Sequence, residues 1–272
     1  MSRAASRSVA ILLCAGYGTR MGALTRTTPK PLLPVADRPV LDYLLDQLVE
    51  LPDLSAVHVV SNHHYAAAFS AWAADRQPDL RRRGLELRVH DDGTLSNEDR
   101  LGAIGDLGFV LGRLGHEAAM PDKALVCAGD NILRFPLAPL WARCRDTGRS
   151  QVLAMEETDP TRLRRTGVLE LDAADRVVAL WEKPETPPSC WACPSFYALA
   201  GDALAAVGPY LAADRPADEI GRFIDHLCAT HPVDAVKTRG SRLHVGNPQE
   251  LERADALLRR EPVIETTAPV TR

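Results

Sequence analysis

Short apolar runs alternate with longer amphipathic segments over the first 155 residues, and this alternation restricts the fold more than any other feature of the sequence. The apolar runs predict strands at residues 8–14, 56–61, 85–90, 123–128 and 151–155. The amphipathic segments predict helices at residues 39–51, 65–75, 101–114 and 137–147. Strands and helices in this order predict an α/β fold, in which helices cover both faces of a mostly parallel sheet.

The pattern changes after Met155, where the strands become shorter and prolines more frequent. In chain order, the second half predicts a hairpin at 167–171 and 176–181, a proline-rich stretch at 183–195, helices near 202–211 and 218–228, a strand pair near Asp234 and Leu243, and a helix at 248–260. We therefore expect a single domain over residues 1–260, with a β-rich insertion in its second half. Residues 261–272 are expected to form an unpacked tail.

Charge and hydropathy exclude several classes of protein. A net charge of −4 and a pI near 6.1 argue against a dedicated nucleic-acid binder, which is usually basic. No apolar run approaches the roughly 18 residues that a membrane span needs. The short apolar stretch near the start is not followed by a cleavage-type site, so no signal peptide is predicted. We expect a cytoplasmic protein with neither a membrane nor a nucleic-acid partner.

A glycine-rich turn directly after the first predicted strand is the strongest chemical signal. In an open α/β sheet, ligands bind beyond the carboxyl ends of the strands, and glycines let backbone N–H groups approach phosphate oxygens. Arg20 adds a guanidinium and Lys30 an ammonium, which together suit a triphosphate. The turn is not a Walker loop, because no Gly-Lys-Ser/Thr follows, and it is not a dinucleotide fingerprint, because Met21 stands where the third glycine would be. Its candidate nucleotide-binding residues are Ala15, Gly16, Gly18 and Thr19.

Three motifs in order give the chain a family resemblance. Gly-x-Gly-Thr-Arg ends at Arg20, and Lys30 follows ten positions later inside Pro-Lys-Pro-Leu-Leu-Pro-Val. Gly-Asp-Asn at 129–131 closes the fourth strand, and Glu-Lys-Pro at 182–184 ends the predicted hairpin. In these motifs the sequence resembles the sugar-1-phosphate nucleotidylyltransferases, also called NDP-sugar pyrophosphorylases, over roughly residues 9–260.

The resemblance implies a Rossmann-like fold and an enzyme, commonly a homo-oligomer, that joins an NTP to a sugar 1-phosphate and releases pyrophosphate. It implies an NTP-binding part at about 8–155 and a sugar-phosphate part at about 156–260. The implied roles are Arg20 on the β- and γ-phosphates, Lys30 beside the α-phosphate, Lys183 on the incoming monophosphate, Glu182 on sugar hydroxyls, Asn131 on substrate, and Asp130 on Mg²⁺, or on Mn²⁺ or another divalent ion.

One position departs from the family pattern. Many members carry a second metal-binding Asp near the end, and His244 occupies that place here. Three interpretations stay open: Asp130 and the phosphates hold Mg²⁺ alone, a transition metal such as Mn²⁺ is preferred, or His244 contacts phosphate directly.

The loop at 91–106 matches the place where the family reads the nucleobase, and we assign Gly102 and Asp106 to nucleotide binding there. Glu98, Asp99 or Asp106 would fit the donor edge of guanine, or would equally serve as helix-capping carboxylates. The sequence therefore does not predict which NTP is used. Two alternative functions also stay open, namely transfer to a cyclitol, alditol or phosphonate, and a non-catalytic nucleotide-sugar-binding protein.

Overall fold

The computed structural model of the protein describes residues 7–117 and 119–261. Its strands are β1 (Ser8–Leu13), β2 (Pro34–Val35), β3 (Arg38–Pro39), β4 (Leu54–Ser61), β5 (Glu86–Asp91), β6 (Lys123–Ala128), β7 (Asn131–Leu133), β8 (Ser150–Glu156), β9 (Gly167–Leu171), β10 (Val177–Glu182), β11 (Trp191–Cys193), β12 (Phe196–Ala200), β13 (Val233–Thr238) and β14 (Arg242–His244). Its helices are α1 (Val40–Val49), α2 (His63–Arg82), α3 (Gly102–Glu117), α4 (Ala138–Thr147), α5 (Pro160–Leu163), α6 (Gly201–Ala205), α7 (Val207–Ala212), α8 (Ile220–Cys228) and α9 (Pro248–Arg260).

The strands of the first half form a parallel core in the order β6-β1-β4-β5. Side chains of β1 alternate between two apolar layers. Val9 and Ile11 pack with α3 and α8, whereas Ala10 and Leu12 pack with α1, α2 and α4. Because both faces are covered, β1 is apolar from Val9 to Leu13, and the predicted parallel core with helices on both sides is confirmed. The parallel strands also bring the segments that follow β1, β4, β5 and β6 to one edge of the sheet.

The second half continues the same sheet, which becomes mixed and reaches ten strands. β12 lies between β6 and β8 and runs antiparallel to both. β13 adds to β8 in parallel, and β9 and β10 form the predicted antiparallel hairpin. The predicted β-rich insertion is thus an extension of the central sheet.

For this half, one sequence-based prediction is incomplete and one is wrong. The proline-rich stretch 183–195 also contains a strand, β11, which pairs with both β8 and β9. The strands near Asp234 and Leu243 exist but do not pair with each other, since β13 joins β8 and β14 joins the short strand β7. In both cases the partner strand is remote in sequence, so local pattern does not reveal it.

The largest difference between a predicted and an observed element length is at α2. α2 runs from His63 to Arg82, past the predicted end at residue 75, and holds Pro78 within it. Among the described residues, no helix combines the length and apolar character that a membrane span requires. The predicted tail lies outside the described residues from position 262 onward.

Candidate active site

The glycine-rich turn leaves β1 at the carboxyl edge of the parallel core. Gly18 has a φ of 63°, in the left-handed region that favours glycine, and precedes a 3₁₀-helical segment at Thr19–Thr25. The Thr25 hydroxyl donates to the Gly18 carbonyl at 3.1 Å and braces the turn. A Cβ at Gly16 would meet no atom within 4 Å, so this backbone is open to a ligand. Arg20 is exposed, and no other described residue holds its guanidinium.

Lys30 and Asp130 meet at the same edge although 100 residues separate them. Lys30 begins a short 3₁₀ turn, Lys30–Leu32, and Asp130 follows β6. Their side chains form a largely buried salt bridge. The chain can pass this close to β1 only because residue 129 is glycine, since a Cβ at Gly129 would lie 2.3 Å from the Cys14 sulfur.

Asp130 is surrounded by hydrogen-bond donors. The Asn131 amide donates to its Oδ1 at 2.8 Å, and His244 Nε2 lies 3.4 Å from its Oδ2. Burial alone would raise the pKa of Asp130, but the Lys30 ammonium and His244 outweigh it and hold that pKa well below its usual range. The carboxylate is therefore ionised at neutral pH and available to a cation.

β14 supplies the other wall of this cluster. Its antiparallel pairing with β7 sets His244 opposite Asn131. Arg242 Nη1 donates to Asn131 Oδ1 at 2.6 Å, so the Asn131 side chain bridges Arg242 and Asp130. Asn131 stays a predicted substrate contact, but the contacts visible here position Asp130.

The N-terminus of α9 holds His244 in place. The Asn247 side chain caps the helix by accepting from Glu250 N, while Glu250 Oε2 accepts from Gly246 N at 2.8 Å. The same oxygen lies 3.0 Å from His244 Nδ1. The arrangement is a variant of the capping box, in which Glu250 accepts from Gly246, one residue before the capping Asn247.

Glu182 and Lys183 form a second polar group at the end of β10. Lys183 has a φ of 47°, and its ammonium makes a salt bridge with Glu219, just before α8. Glu182 packs against the first turn of α8, where a Cβ at Gly221 would lie 2.6 Å from its Oε1. Burial, together with the nearby Glu219, raises the pKa of Glu182.

The predicted base-reading loop contacts the glycine-rich turn. Asp92 Oδ1 accepts from the Thr94 backbone and hydroxyl at 2.7 and 2.8 Å, and the Thr94 hydroxyl lies 3.2 Å from the Tyr17 hydroxyl. Asp106 is buried on α3, and burial together with Asp92 raises its pKa to about 8. Among the described residues, no hydrogen-bond donor satisfies Asp106 Oδ1.

Two other candidates in this loop have structural roles. Asp99 accepts from the backbone N–H groups of Leu95 and Ser96, so it closes a local turn. Gly102 has a φ of 78° and begins α3. A Cβ there would lie 2.7 Å from the Ala217 carbonyl oxygen, so only glycine fits.

The structure thus joins Lys30, Asp130, Asn131 and His244 in one cluster and sets Glu182 with Lys183 in another. Arg20 lies beside the glycine-rich turn and pairs with no residue that the structure describes. Sequence reasoning missed three neighbours of these clusters, Arg242, Glu219 and Glu250. Only Glu250 had a local signal, the Asn-x-x-Glu spacing of a helix start.

Comparisons with known proteins agree with this architecture. The profile described as nucleotidyl transferase matches residues 9–261. A UTP–glucose-1-phosphate uridylyltransferase from Haloferax volcanii is 27% identical, over 93% of this chain and 97% of its own. A glucose-1-phosphate thymidylyltransferase from Actinoplanes sp. is 32% identical, over 71% of this chain but only 58% of its own. The crystal structure of a putative glucose-1-phosphate thymidylyltransferase from Bacillus anthracis shares the fold, with a TM-score of 0.73 at 21% identity, and the match covers 93% of this chain and 95% of that one.

Proposed function

The chain belongs to the nucleotidyl transferase family, and on this premise we propose that it joins an NTP to a sugar 1-phosphate, giving an NDP-sugar and pyrophosphate. One observation carries the proposal. The buried Lys30–Asp130 pair is assembled from distant segments beside an open glycine-rich turn, at the carboxyl edge of a parallel sheet. This edge is where open α/β sheets bind ligands.

The chemistry requires charge and alignment rather than a strong base. An oxygen of the sugar phosphate, already ionised at neutral pH, forms a bond to the α-phosphorus of the NTP as the bond to the departing pyrophosphate breaks. Two anions must therefore be held in line despite their repulsion. Arg20, whose guanidinium pairs with none of the described residues, binds the β- and γ-phosphates, and Lys30 stands where charge builds at the α-phosphate.

The second cluster supplies the acceptor site. Lys183 binds the incoming phosphate, for which it exchanges its salt bridge with Glu219. The side chain of Lys183 is 55% exposed, so this exchange costs little. Glu182 accepts hydrogen bonds from sugar hydroxyls. Asp106 contributes to the nucleotide side, and Gly102 supports that side by allowing α3 to begin close to Ala217.

A divalent cation fits the donor set around Asp130. The carboxylate is ionised, and Mg²⁺ prefers oxygen ligands with substrate phosphates completing its shell. When bound, such an ion neutralises developing charge on phosphate oxygens. We further propose a homo-oligomer in the cytoplasm.

Pyrophosphate release tests the proposal directly. The protein is incubated with each NTP, a divalent ion and a panel of sugar 1-phosphates, extended by cyclitol, alditol and phosphonate acceptors. We expect pyrophosphate and a nucleotide-linked product in equal amounts for at least one pair. Tight binding of nucleotide sugars without turnover across the panel would contradict the proposal and favour the non-catalytic alternative.

A further inference from the structure

His244 and Asp130 are spaced like two ligands of one metal ion. His244 Nε2 and Asp130 Oδ2 lie 3.4 Å apart, which is long for a charged hydrogen bond. An ion with bonds of about 2.1 Å to a nitrogen and an oxygen places those two atoms about 3.0 Å apart at a right angle and about 3.4 Å apart at a tetrahedral angle. The observed distance lies at the upper end of this range.

The imidazole is also oriented for metal binding. Glu250 Oε2 lies 3.0 Å from Nδ1, which donates to it, so Nε2, the nitrogen that faces Asp130, is the atom that would give up any proton and bind a metal ion. A carboxylate behind a ligating histidine is the usual arrangement that fixes the tautomer and increases ligand basicity. A Cβ at position 246 would lie 2.3 Å from His244 Cε1 and 2.8 Å from Glu250 Oε2, so only glycine leaves room for the pair.

A protein cation already occupies the same carboxylate. The Lys30 ammonium pairs with Asp130 Oδ2, the oxygen nearest His244. A divalent ion between Oδ2 and Nε2 would replace that ammonium, and Lys30 would then be free to bind phosphate. Among the described residues, no cluster of three His, Cys, Asp or Glu side chains could hold a metal, so phosphate oxygens and water must complete the shell.

Resting on the proposed function, we infer that His244 binds the divalent ion through Nε2, that Glu250 is its positioning residue, and that the site prefers a first-row transition ion such as Mn²⁺ over Mg²⁺. Imidazole nitrogen is a ligand of transition ions, whereas Mg²⁺ favours an all-oxygen shell.

The test is electron spin echo envelope modulation of Mn²⁺ added to the full-length protein, alone and with UTP. We expect ¹⁴N modulation from the imidazole in the wild type and its loss in His244→Gln. Because the readout is a coordinated nitrogen, it does not depend on turnover. Absence of ¹⁴N modulation from bound Mn²⁺, its persistence in His244→Gln, or failure of the protein to bind Mn²⁺ would each overturn the inference.

Metal preference provides the second measurement. Competition between Mn²⁺ and Mg²⁺ should show the wild-type preference for Mn²⁺ falling about tenfold or more in His244→Asp. Glu250→Gln should weaken Mn²⁺ binding about 10- to 100-fold, whereas the matched control Glu252→Gln, exposed on the same helix, should not. An unchanged preference in His244→Asp would contradict the inference. Pyrophosphate release from the wild type is measured separately, so inactivity with an intact ¹⁴N signal would refute only the proposed function.

Discussion

Arg20 and Lys30 are both cations near the glycine-rich turn, but their surroundings differ. Lys30 is largely buried and bound to Asp130, which fixes it in place before substrate arrives. Arg20 is exposed and unattached among the described residues, so its binding energy is available entirely to an incoming anion. Lys30 therefore supplies a positive charge that is held in position, and Arg20 supplies a positive charge that is available to an incoming anion.

Removal of the free guanidinium should mainly lower the rate of turnover. We expect Arg20→Ala to reduce kcat/KM by about 10²–10³, equivalent to about 3–4 kcal/mol, because a positioned donor to the charged phosphates is lost. Steady-state pyrophosphate release measures this effect. Arg143→Ala, an exposed arginine on α4, is the matched control and should keep its activity. Equal activity of the two variants would contradict the role given to Arg20.

At the scale of elements, α3 and the strands beneath it bury three groups that titrate unusually. His58 on β4 and His90 on β5 are both buried, with His58 Nδ1 2.9 Å from His90 Nε2. Burial, then the neighbouring His90, lowers the pKa of His58 to about 3. The pKa of Asp106 on α3 shifts in the opposite direction. Burial and the neighbouring Asp92 raise it to about 8, so Asp106 stays protonated at neutral pH. The two kinds of group make stability depend on pH in opposite directions.

His58 should make the fold sensitive to acid. The unfolded chain binds a proton at this residue below about pH 6.5, but the folded chain does so only near pH 3, so its contribution to stability is lost as pH falls between these values. We expect the free energy of unfolding of the wild type to fall more steeply than that of His58→Gln, by up to about 1.4 kcal/mol per pH unit. Urea unfolding at pH 5–7 measures it, with exposed His116→Gln as control. Parallel profiles for the wild type and His58→Gln would refute the assignment.

Asp106 should destabilise the fold as pH rises. The unfolded chain releases this proton near pH 4, whereas the folded chain keeps it to about pH 8, so stability is lost across that range. Asp106→Asn removes the linkage, and its advantage over the wild type should grow by up to about 1.4 kcal/mol per pH unit between pH 5 and 7. Thermal or urea unfolding reports it, with Asp75→Asn on the surface of α2 as control. A constant difference between Asp106→Asn and the wild type would show that Asp106 ionises normally.

At the scale of the molecule, the sequence predicts those parts of the fold that depend on the pattern of neighbouring residues. The parallel core, its covering helices and the β9–β10 hairpin follow from periodicity that neighbouring residues carry. The insertion of β12 between β6 and β8 does not, because β12 is short and its paired residues lie 45 to 77 positions away in sequence.

The candidate site, too, was predicted only where local pattern carries the information. Lys30, Asp130 and Lys183 could be predicted as site residues, because each lies in a recognisable sequence motif. Their partners were harder to predict. Arg242 reaches Asn131 only through the β7–β14 pairing, and Glu219 reaches Lys183 only where the start of α8 packs against β10.

The central claim concerns the charged side chains at the carboxyl edge of the parallel strands. They align the sugar phosphate with the α-phosphorus of the NTP, so that pyrophosphate is displaced in one direct step. The stereochemistry at the α-phosphorus tests it most directly. The enzyme is given the α-thio analogue of its preferred NTP, of one configuration, and the configuration of the nucleotide-sugar product is read by ³¹P NMR. Direct in-line attack predicts inversion, whereas retention would show that the nucleotidyl group passes through a covalent enzyme intermediate and would contradict the account.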